Sequence, residues 1–88
     1  MYPICLSKKA VKDIVALRKE NPKYAAKFLD LILDIFKSPY TGLGKPEELK
    51  GDLAGWWSRR ITDKHRLIYR IKDGNLEIAR SYGHYGDK

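Results

Sequence analysis

Hydrophobic residues recur at helical spacing in the first half of the chain and alternate with polar residues in the last third. A short apolar run over residues 2–6 is typical of a strand, and Ser7 after it is a favoured helix N-cap. From Lys8 to near Glu20 the apolar positions return every three or four residues, which predicts a helix. We therefore expect a strand followed by an amphipathic helix at the N-terminus.

A second helix is predicted to begin at Asn21-Pro22, because asparagine is a favoured cap and proline a favoured first helical residue. Its apolar stripe indicates a strongly amphipathic helix, which Ser38-Pro39 should end. The stripe consists of Ala25, Phe28, Leu29, Ile32, Ile35 and Phe36. Two helices with so short a break between them predict a helical hairpin.

The middle of the chain, residues 40–55, contains glycines and a proline in place of any periodic pattern. Such punctuation predicts one long irregular loop. Loops of this length in a compact domain usually carry function. Residues with a chemical role are therefore to be sought there first.

Alternation in the last third predicts three strands separated by short turns. The strands are expected at residues 56–62, 65–72 and 76–82. Between the last two, Asp73-Gly74 is a strong hairpin signal. The order β-α-α-β-β-β predicts a single α+β domain over residues 1–88. Its N-terminal strand and helical hairpin should pack on a mainly antiparallel four-stranded sheet.

The net charge and the cysteine content indicate the class of partner and the redox compartment. The formal net charge of +7 favours nucleic acid, an anionic membrane surface or an acidic protein, and the alternative is a solvated basic surface. Cys5 is the only cysteine, which excludes an internal disulfide and fits a reducing compartment, and we expect it to be buried. No apolar run approaches the roughly 20 residues that cross a bilayer. We expect a soluble cytoplasmic protein without a membrane partner.

The same alternation predicts which side chains share a face of the sheet. In the strand over residues 65–72 the apolar positions should face the helices, which leaves Arg66 and Arg70 on the outer face. In the preceding strand Arg59 shares a face with Ile61, and Arg60 lies on the other face. We expect a basic outer face beside the loop, suited to RNA, with an ordinary solvated face as the alternative.

Metal-independent RNA cleavage needs a base for the 2′-hydroxyl, an acid for the leaving 5′-oxygen and a cation for the charge that builds on phosphorus. Glu47 and Glu48, in the loop, are both candidates for the base, and spacing does not choose between them. His84 is the candidate acid, because histidine titrates near neutrality. His65 begins a strand on its core-facing phase and is predicted to be structural.

The sequence lacks the residues that zinc sites, phosphate-binding loops and two-metal sites require. One cysteine and two separated histidines give no zinc set. No glycine-rich phosphate loop follows a strand, and no acidic cluster suits two metals. We therefore predict neither a metal nor a cofactor. Lys45 and Lys50 flank the two glutamates, and phosphate contact and a solvated charge are both open for them.

Four runs of sequence, taken together, are distinctive: residues 44–50, 53–62 and 65–69, and the terminal pair His84-Tyr85. In this order they resemble the YoeB branch of the RelE toxin superfamily. The resemblance implies a RelE-like fold and a ribosome-dependent endoribonuclease, an mRNA interferase that cuts mRNA in the A site. It also implies a cognate antitoxin of the YefM/Phd type. Monomer and homodimer both remain open.

Carried over residue by residue, the resemblance makes Glu47 the general base, Arg66 the transition-state stabiliser and His84 the general acid. Tyr85 would orient the cleaved nucleotide or stack on it. The residues expected to contact RNA phosphate are Lys50 and Arg60, together with Lys45 and Arg59.

Two other functions stay open at this point. A basic domain of the same fold could bind nucleic acid without chemistry, and it would then shift RNA on a gel and leave it intact. A toxin of the same superfamily could also act on another target, such as a topoisomerase. Such a toxin would not need a glutamate, an arginine and a histidine together, so their presence favours RNA cleavage.

Overall fold

The computed structural model describes residues 2–83, in which two helices cover one face of a mixed sheet. The predicted α+β class and the order of the long elements are confirmed. The elements are β1 (Ile4–Leu6), α1 (Lys8–Glu20), α2 (Pro22–Lys37), β2 (Glu47–Glu48), a 3₁₀ turn (Gly51–Leu53), β3 (Trp57–Arg60), β4 (Arg66–Lys72) and β5 (Asn75–Arg80).

Both helices begin at the predicted caps. The Ser7 hydroxyl accepts a hydrogen bond from the N–H of Ala10 at 2.9 Å, and the Asn21 side chain accepts one from the N–H of Lys23 at 3.0 Å. Pro22 is the first residue of α2. Because the first N–H groups of a helix lack partners within it, these local bonds fix where each helix starts. Within residues 2–83 neither helix has the length and apolarity needed to cross a membrane.

The sheet has five strands in the order β1-β5-β4-β3-β2. Strands β3, β4 and β5 form an antiparallel meander, and β1 pairs in parallel with β5. The predicted number of four strands is wrong, because Glu47 and Glu48 pair antiparallel with Ser58 and Trp57 as the short strand β2. Two residues are too few for alternation to reveal a strand, so the sequence pattern showed only a loop.

The tightest turn of the sheet follows its prediction. Asp73 and Gly74 have φ angles of 53° and 78° and connect the paired residues Lys72 and Asn75. Positive φ at both central positions is what a two-residue type I′ hairpin requires. The hairpin joins β4 to β5 and so sets the register of the two longest strands.

The core fills the space between the helices and the inner face of the sheet. Its buried members include Leu17, Phe28, Leu31, Ile35, Leu67, Tyr69, Leu76 and Ile78. Leu29, predicted to lie in the buried stripe, is 56% exposed, because α2 carries apolar residues on more than the one face that meets the sheet. The expectation that Cys5 is buried is also wrong. It lies on the edge strand β1 opposite Glu77, on the face without helices, and is exposed.

Candidate active site

A cleft of about 260 Å³ on the outer face of the sheet brings together four of the predicted site residues. Its lining consists of Lys45, Pro46, Glu47, Arg60 and Arg66. The predicted base and the predicted transition-state stabiliser therefore share one cleft with two of the cations expected to bind phosphate.

The register of three strands explains why these side chains meet. Arg60 on β3 is directly opposite Arg66 on β4, and Glu47 on β2 is opposite Ser58, two residues before Arg60. Directly paired residues, and residues two apart on one strand, present their side chains on the same face. Glu48 alternates to the other phase and is absent from the lining. Register therefore selects Glu47 over Glu48 as the carboxylate of this cleft.

Close packing at Gly44 places the loop that leads into the cleft. The N–H of Arg60 donates a hydrogen bond to the Gly44 carbonyl at 2.6 Å. A Cβ atom on Gly44 would lie 2.9 Å from Leu31 Cδ2 and 3.0 Å from the Arg60 carbonyl oxygen. Gly44 and Lys45 both have positive φ, 78° and 53°, and such a φ is uncommon for a lysine. This left-handed turn brings Lys45 and Glu47 to the cleft.

The prediction that Arg59 binds RNA phosphate is wrong. Arg59 is fully buried and lies on the helix side of the sheet, as its alternation with Ile61 indicated. Its guanidinium forms an ion pair with Asp34 at 2.6 Å. It also donates hydrogen bonds to the backbone carbonyls of Ser38, Thr41 and Leu43. These bonds tie the loop after α2 to the interior, and we call this group the Arg59 clamp.

Tyr69 completes the Arg59 clamp. Its hydroxyl accepts a hydrogen bond from Arg59 Nε at 3.1 Å and donates one to the Pro39 carbonyl at 2.6 Å. Burial raises the pKa of Tyr69. The backbone N–H of Leu43, and after it the Arg59 guanidinium, hold the pKa of Asp34 below its usual 3.8. The Arg59 clamp is therefore a charged and hydrogen-bonded group. It is connected to the cleft by β3, because Arg60, the next residue of that strand, lines the cleft.

The rest of the outer face is engaged in local contacts. Arg70, predicted to face outwards, lies 4.2 Å from the ring centre of Trp56 and pairs with Glu77 at 2.6 Å. Ile68 is also on the outer phase but is only 1% exposed. In the part of the chain that the structure describes, no group of three or more His, Cys, Asp or Glu residues is arranged to hold a metal ion.

Besides Arg59, one described residue of the predicted site, Lys50, is not part of the cleft lining. Lys50 is exposed and precedes the 3₁₀ turn at Gly51–Leu53. His84 and Tyr85 lie outside the described residues, so their roles stay predictions. His65, predicted on the core-facing phase, is fully buried. Its polar contacts with Glu20 and with the backbone before His84 were not anticipated, because they depend on long-range packing.

Comparisons with known proteins find a matching family, similar sequences and similar solved structures. The family described as "YoeB-like toxin of bacterial type II toxin-antitoxin system" matches residues 6–85. The chain is similar to the "Toxin YoeB" of Streptomyces coelicolor, with 46% identity over 74 residues that cover 84% of this chain and 88% of that protein. It is also similar to the solved "YoeB/ParE toxin from Agrobacterium tumefaciens", with a TM-score of 0.90, 38% identity and coverage of 94% and 99%.

Two further solved structures are of proteins from Staphylococcus aureus. One is described as a YoeB-YefM complex, with a TM-score of 0.85, 36% identity and coverage of 97% and 99%. The other is described as a YoeB dimer, with a TM-score of 0.87, 35% identity and coverage of 96% and 98%. The similarity extends over nearly the whole length of each chain, so it concerns the entire domain.

Proposed function

This chain belongs to the family of YoeB-like toxins of bacterial type II toxin–antitoxin systems, and from that premise we propose that it is a ribosome-dependent endoribonuclease that cuts mRNA in the A site. The observation that carries the proposal is the cleft in which Glu47 and Arg66 meet beside Lys45 and Arg60. One carboxylate among three cations suits an attack on a phosphodiester, because the carboxylate removes a proton and the cations stabilise the negative charge.

In the proposed reaction the chain supplies the base, the acid and the cations. Glu47 accepts the proton of a 2′-hydroxyl, and the electron pair left on that oxygen forms a bond to the adjacent phosphorus. Arg66 stabilises the charge that builds on the phosphoryl oxygens, while Lys50 and Arg60 hold neighbouring phosphates. His84 donates a proton to the leaving 5′-oxygen as its bond to phosphorus breaks. The products are a 2′,3′-cyclic phosphate and a 5′-hydroxyl.

Several features support the proposed partners. The net charge of +7 suits a ribosomal RNA environment, and unstacked bases are held by aromatic rings, the role proposed for Tyr85. The complex of the Staphylococcus aureus relative supports a YefM-type antitoxin for this chain, and the dimer of that relative supports a homodimer. Action on translated mRNA would take place in the cytoplasm.

Primer extension on translated mRNA tests the proposal, with Glu47→Ala compared to Glu48→Ala. The two glutamates are adjacent on β2, and only Glu47 lines the cleft, so the second variant is a matched control. We expect cuts that lie inside codons and that form only when ribosomes are present. These cuts should disappear in Glu47→Ala and persist in Glu48→Ala. Cuts that persist in Glu47→Ala would overturn the proposal, and RNA that is bound and left intact would favour a non-catalytic binding module.

Arg66→Ala tests the electrostatic part of the mechanism. Loss of one donor aimed at developing charge is often worth roughly 10²–10³-fold in rate. We expect a loss of that order in the single-turnover rate of cleavage on ribosomes, with the thermal unfolding midpoint measured beside it. A folded Arg66→Ala variant that cleaves at the wild-type rate would exclude Arg66 as the stabiliser.

A further inference from the structure

The backbone just before His84 is held by side chains from two other elements. The N–H groups of Ser81 and Tyr82 both donate to Asp13 Oδ2, at 2.9 and 3.3 Å. The N–H of Gly83 donates to Nδ1 of His65 at 2.9 Å. Asp13 on α1 is 4% exposed and His65 is fully buried, so these bonds are sheltered from water. Each of residues 81–83 thus has its N–H group bonded to a buried side chain.

The bond to Gly83 determines the proton arrangement of His65. A ring nitrogen that accepts a hydrogen bond carries no proton, so in the neutral ring the hydrogen is on Nε2. Nε2 lies 3.2 Å from Glu20 Oε2, to which it donates. The other oxygen of Glu20 accepts from the Tyr82 hydroxyl at 2.7 Å, and the Tyr82 ring stacks on His65 with centres 4.2 Å apart. The imidazole is therefore fixed in tautomer and in plane.

The same contacts reach the cleft through the backbone. Arg66, whose side chain lines the cleft, donates its backbone N–H to the Gly83 carbonyl at 3.0 Å. His65 and Arg66 thus hold Gly83 by its N–H and by its C=O. Gly83 has a φ of 87°, and the next residue in the sequence is His84. The point from which His84 departs is fixed relative to Arg66.

We infer that His65, oriented by Glu20, is a positioning residue that fixes Gly83, from which the chain continues to the proposed acid His84, relative to Arg66. The inference rests on the proposed function, because it takes His84 to be the general acid. A histidine that only filled space in the core would not need an acceptor nitrogen aimed at this particular N–H. Misplacement of a reacting group by about 1 Å can cost roughly 10²-fold in rate.

Two substitutions of His65 separate positioning from packing. In His65→Asn the amide oxygen occupies the place of Nδ1 and can still accept from Gly83. In His65→Gln the amide nitrogen replaces Nε2 and reaches Glu20, but the amide oxygen no longer stands at the place of Nδ1, where the N–H of Gly83 needs its acceptor. Both lose the stack on Tyr82, so the loss of packing is common to both. We expect His65→Gln to lower the single-turnover cleavage rate by about 10²-fold at an unchanged half-saturating ribosome concentration. His65→Asn should recover most of that loss.

Tyr24→Leu is the packing control, because Tyr24 contacts the edge of the His65 ring, with centres 6.0 Å apart, and makes no side-chain bond to Gly83. Equal rates for the Asn and Gln variants, or an equal loss in Tyr24→Leu, would overturn the inference. Should His65→Gln not fold, Glu20→Ala removes the partner of Nε2 from an exposed position and should slow cleavage in the same sense. A wild-type rate in Glu20→Ala would then overturn the inference.

Amide exchange of Gly83, followed by NMR on the isolated protein, judges the anchor without any cleavage assay. We expect slow exchange in the wild type and in His65→Asn, and fast exchange in His65→Gln. Equal exchange in all three would overturn the inference even where Glu47-dependent cleavage is intact. Should the wild type cleave no ribosomal mRNA, the proposed function would fail while slow exchange would still show the anchor.

Discussion

Arg59 and Arg60 are adjacent in the sequence, and the pleat of β3 gives them opposite environments. Arg59 is enclosed by Asp34, backbone carbonyls and Tyr69, whereas Arg60 lines the cleft. Removal of one partner from a buried ion pair leaves a charge and several carbonyls without their hydrogen bonds, which is costly. At the scale of single residues, the direction of a side chain therefore decides whether an arginine is buried in the fold or lines the cleft.

Arg59→Met and Arg60→Met should separate these two roles. We expect Arg59→Met to lower the free energy of unfolding by about 3 kcal/mol or more, because it breaks a buried pair. Arg60→Met should change it by less than about 1 kcal/mol, as for most surface positions, and weaken cleavage instead. Urea unfolding of both variants, at one protein concentration and pH, checks this. An equal loss of stability in the two would contradict the division.

Sequence reasoning at this scale succeeded where alternation was followed strictly. Arg59 shares its phase with Ile61, so the pattern already indicated the helix side. Its assignment to phosphate treated positive charge as a sign of exposure and omitted the chance that Asp34, on the facing helix, pairs with it. The roles of Asp13 and Glu20 in holding residues 81–83 and His65 were not identified, because those contacts join residues 45 or more positions apart.

The elements of the fold divide in the same way into local and long-range features. The two helix caps and the turn at Asp73-Gly74 depend on residues close in sequence, and all three were predicted. Strand β2 exists only because β3 supplies its partner, so nothing local announces it. Yet β2 carries Glu47, and the cleft depends on that short strand being held in place by the turn at Gly44.

Gly44 and Gly74 offer a matched pair at the scale of elements, since both have a φ of 78°. A Cβ on Gly74 would meet nothing within 4 Å, whereas on Gly44 it would press on Leu31 and on the carbonyl of Arg60. We expect Gly74→Ala to cost about 1–2 kcal/mol of stability for its left-handed backbone alone. Gly44→Ala should cost more and also slow cleavage, because the loop must shift.

Chemical denaturation and the single-turnover cleavage rate, measured on both alanine variants, test whether the contacts at Gly44 position the loop. The control is internal, because the backbone penalty is common to both glycines. Equal destabilisation of the two, with cleavage intact in Gly44→Ala, would show that contacts at Gly44 do not position Lys45 and Glu47.

The whole molecule is small and basic, and its lysines and arginines lie both on the helices and on the sheet side. Helix α1 and helix α2 carry exposed lysines on the side away from the cleft, such as Lys12 and Lys23, while Lys45 and Arg60 border the cleft. Each cation that neutralises a phosphate releases a counterion, so binding to RNA weakens as salt rises. The dependence on salt therefore reports which lysines contact RNA.

Lys45→Ala should reduce the slope of log affinity against log salt concentration by about one, since a phosphate contact is lost. Lys12→Ala, on the exposed face of α1, is the matched control and should leave the slope unchanged. Affinity for mRNA-programmed ribosomes, measured over a series of salt concentrations, gives both slopes. Identical slopes for Lys45→Ala and the wild type would show that Lys45 contacts no phosphate.

Stability of the whole domain should depend on pH through Glu20. Hydrogen bonds donated by the Tyr82 hydroxyl, and after it by His65, hold the pKa of Glu20 below its usual 4.5. A lowered pKa contributes stability that is complete above the unfolded value and is lost as pH falls through the folded one. The difference in unfolding free energy between wild type and Glu20→Gln should therefore shrink below pH 4.5.

Urea unfolding of both proteins between neutral pH and acid gives this difference directly. Glu48→Gln, which removes one exposed carboxylate of β2, is the control for a change in surface charge. A difference that widened on acidification would contradict the hydrogen-bonded state assigned to Glu20.

The parallel pairing of Ile4–Leu6 with Leu76–Ile78 joins the earliest strand to the latest one. Such non-local pairs form late, since the intervening chain must first be closed into a loop. Until β5 has been synthesised, the sheet lacks the strand that joins β1 to β4. A nascent chain that has not yet reached β4 also lacks Arg66, so its cleft is incomplete however well its helices have formed.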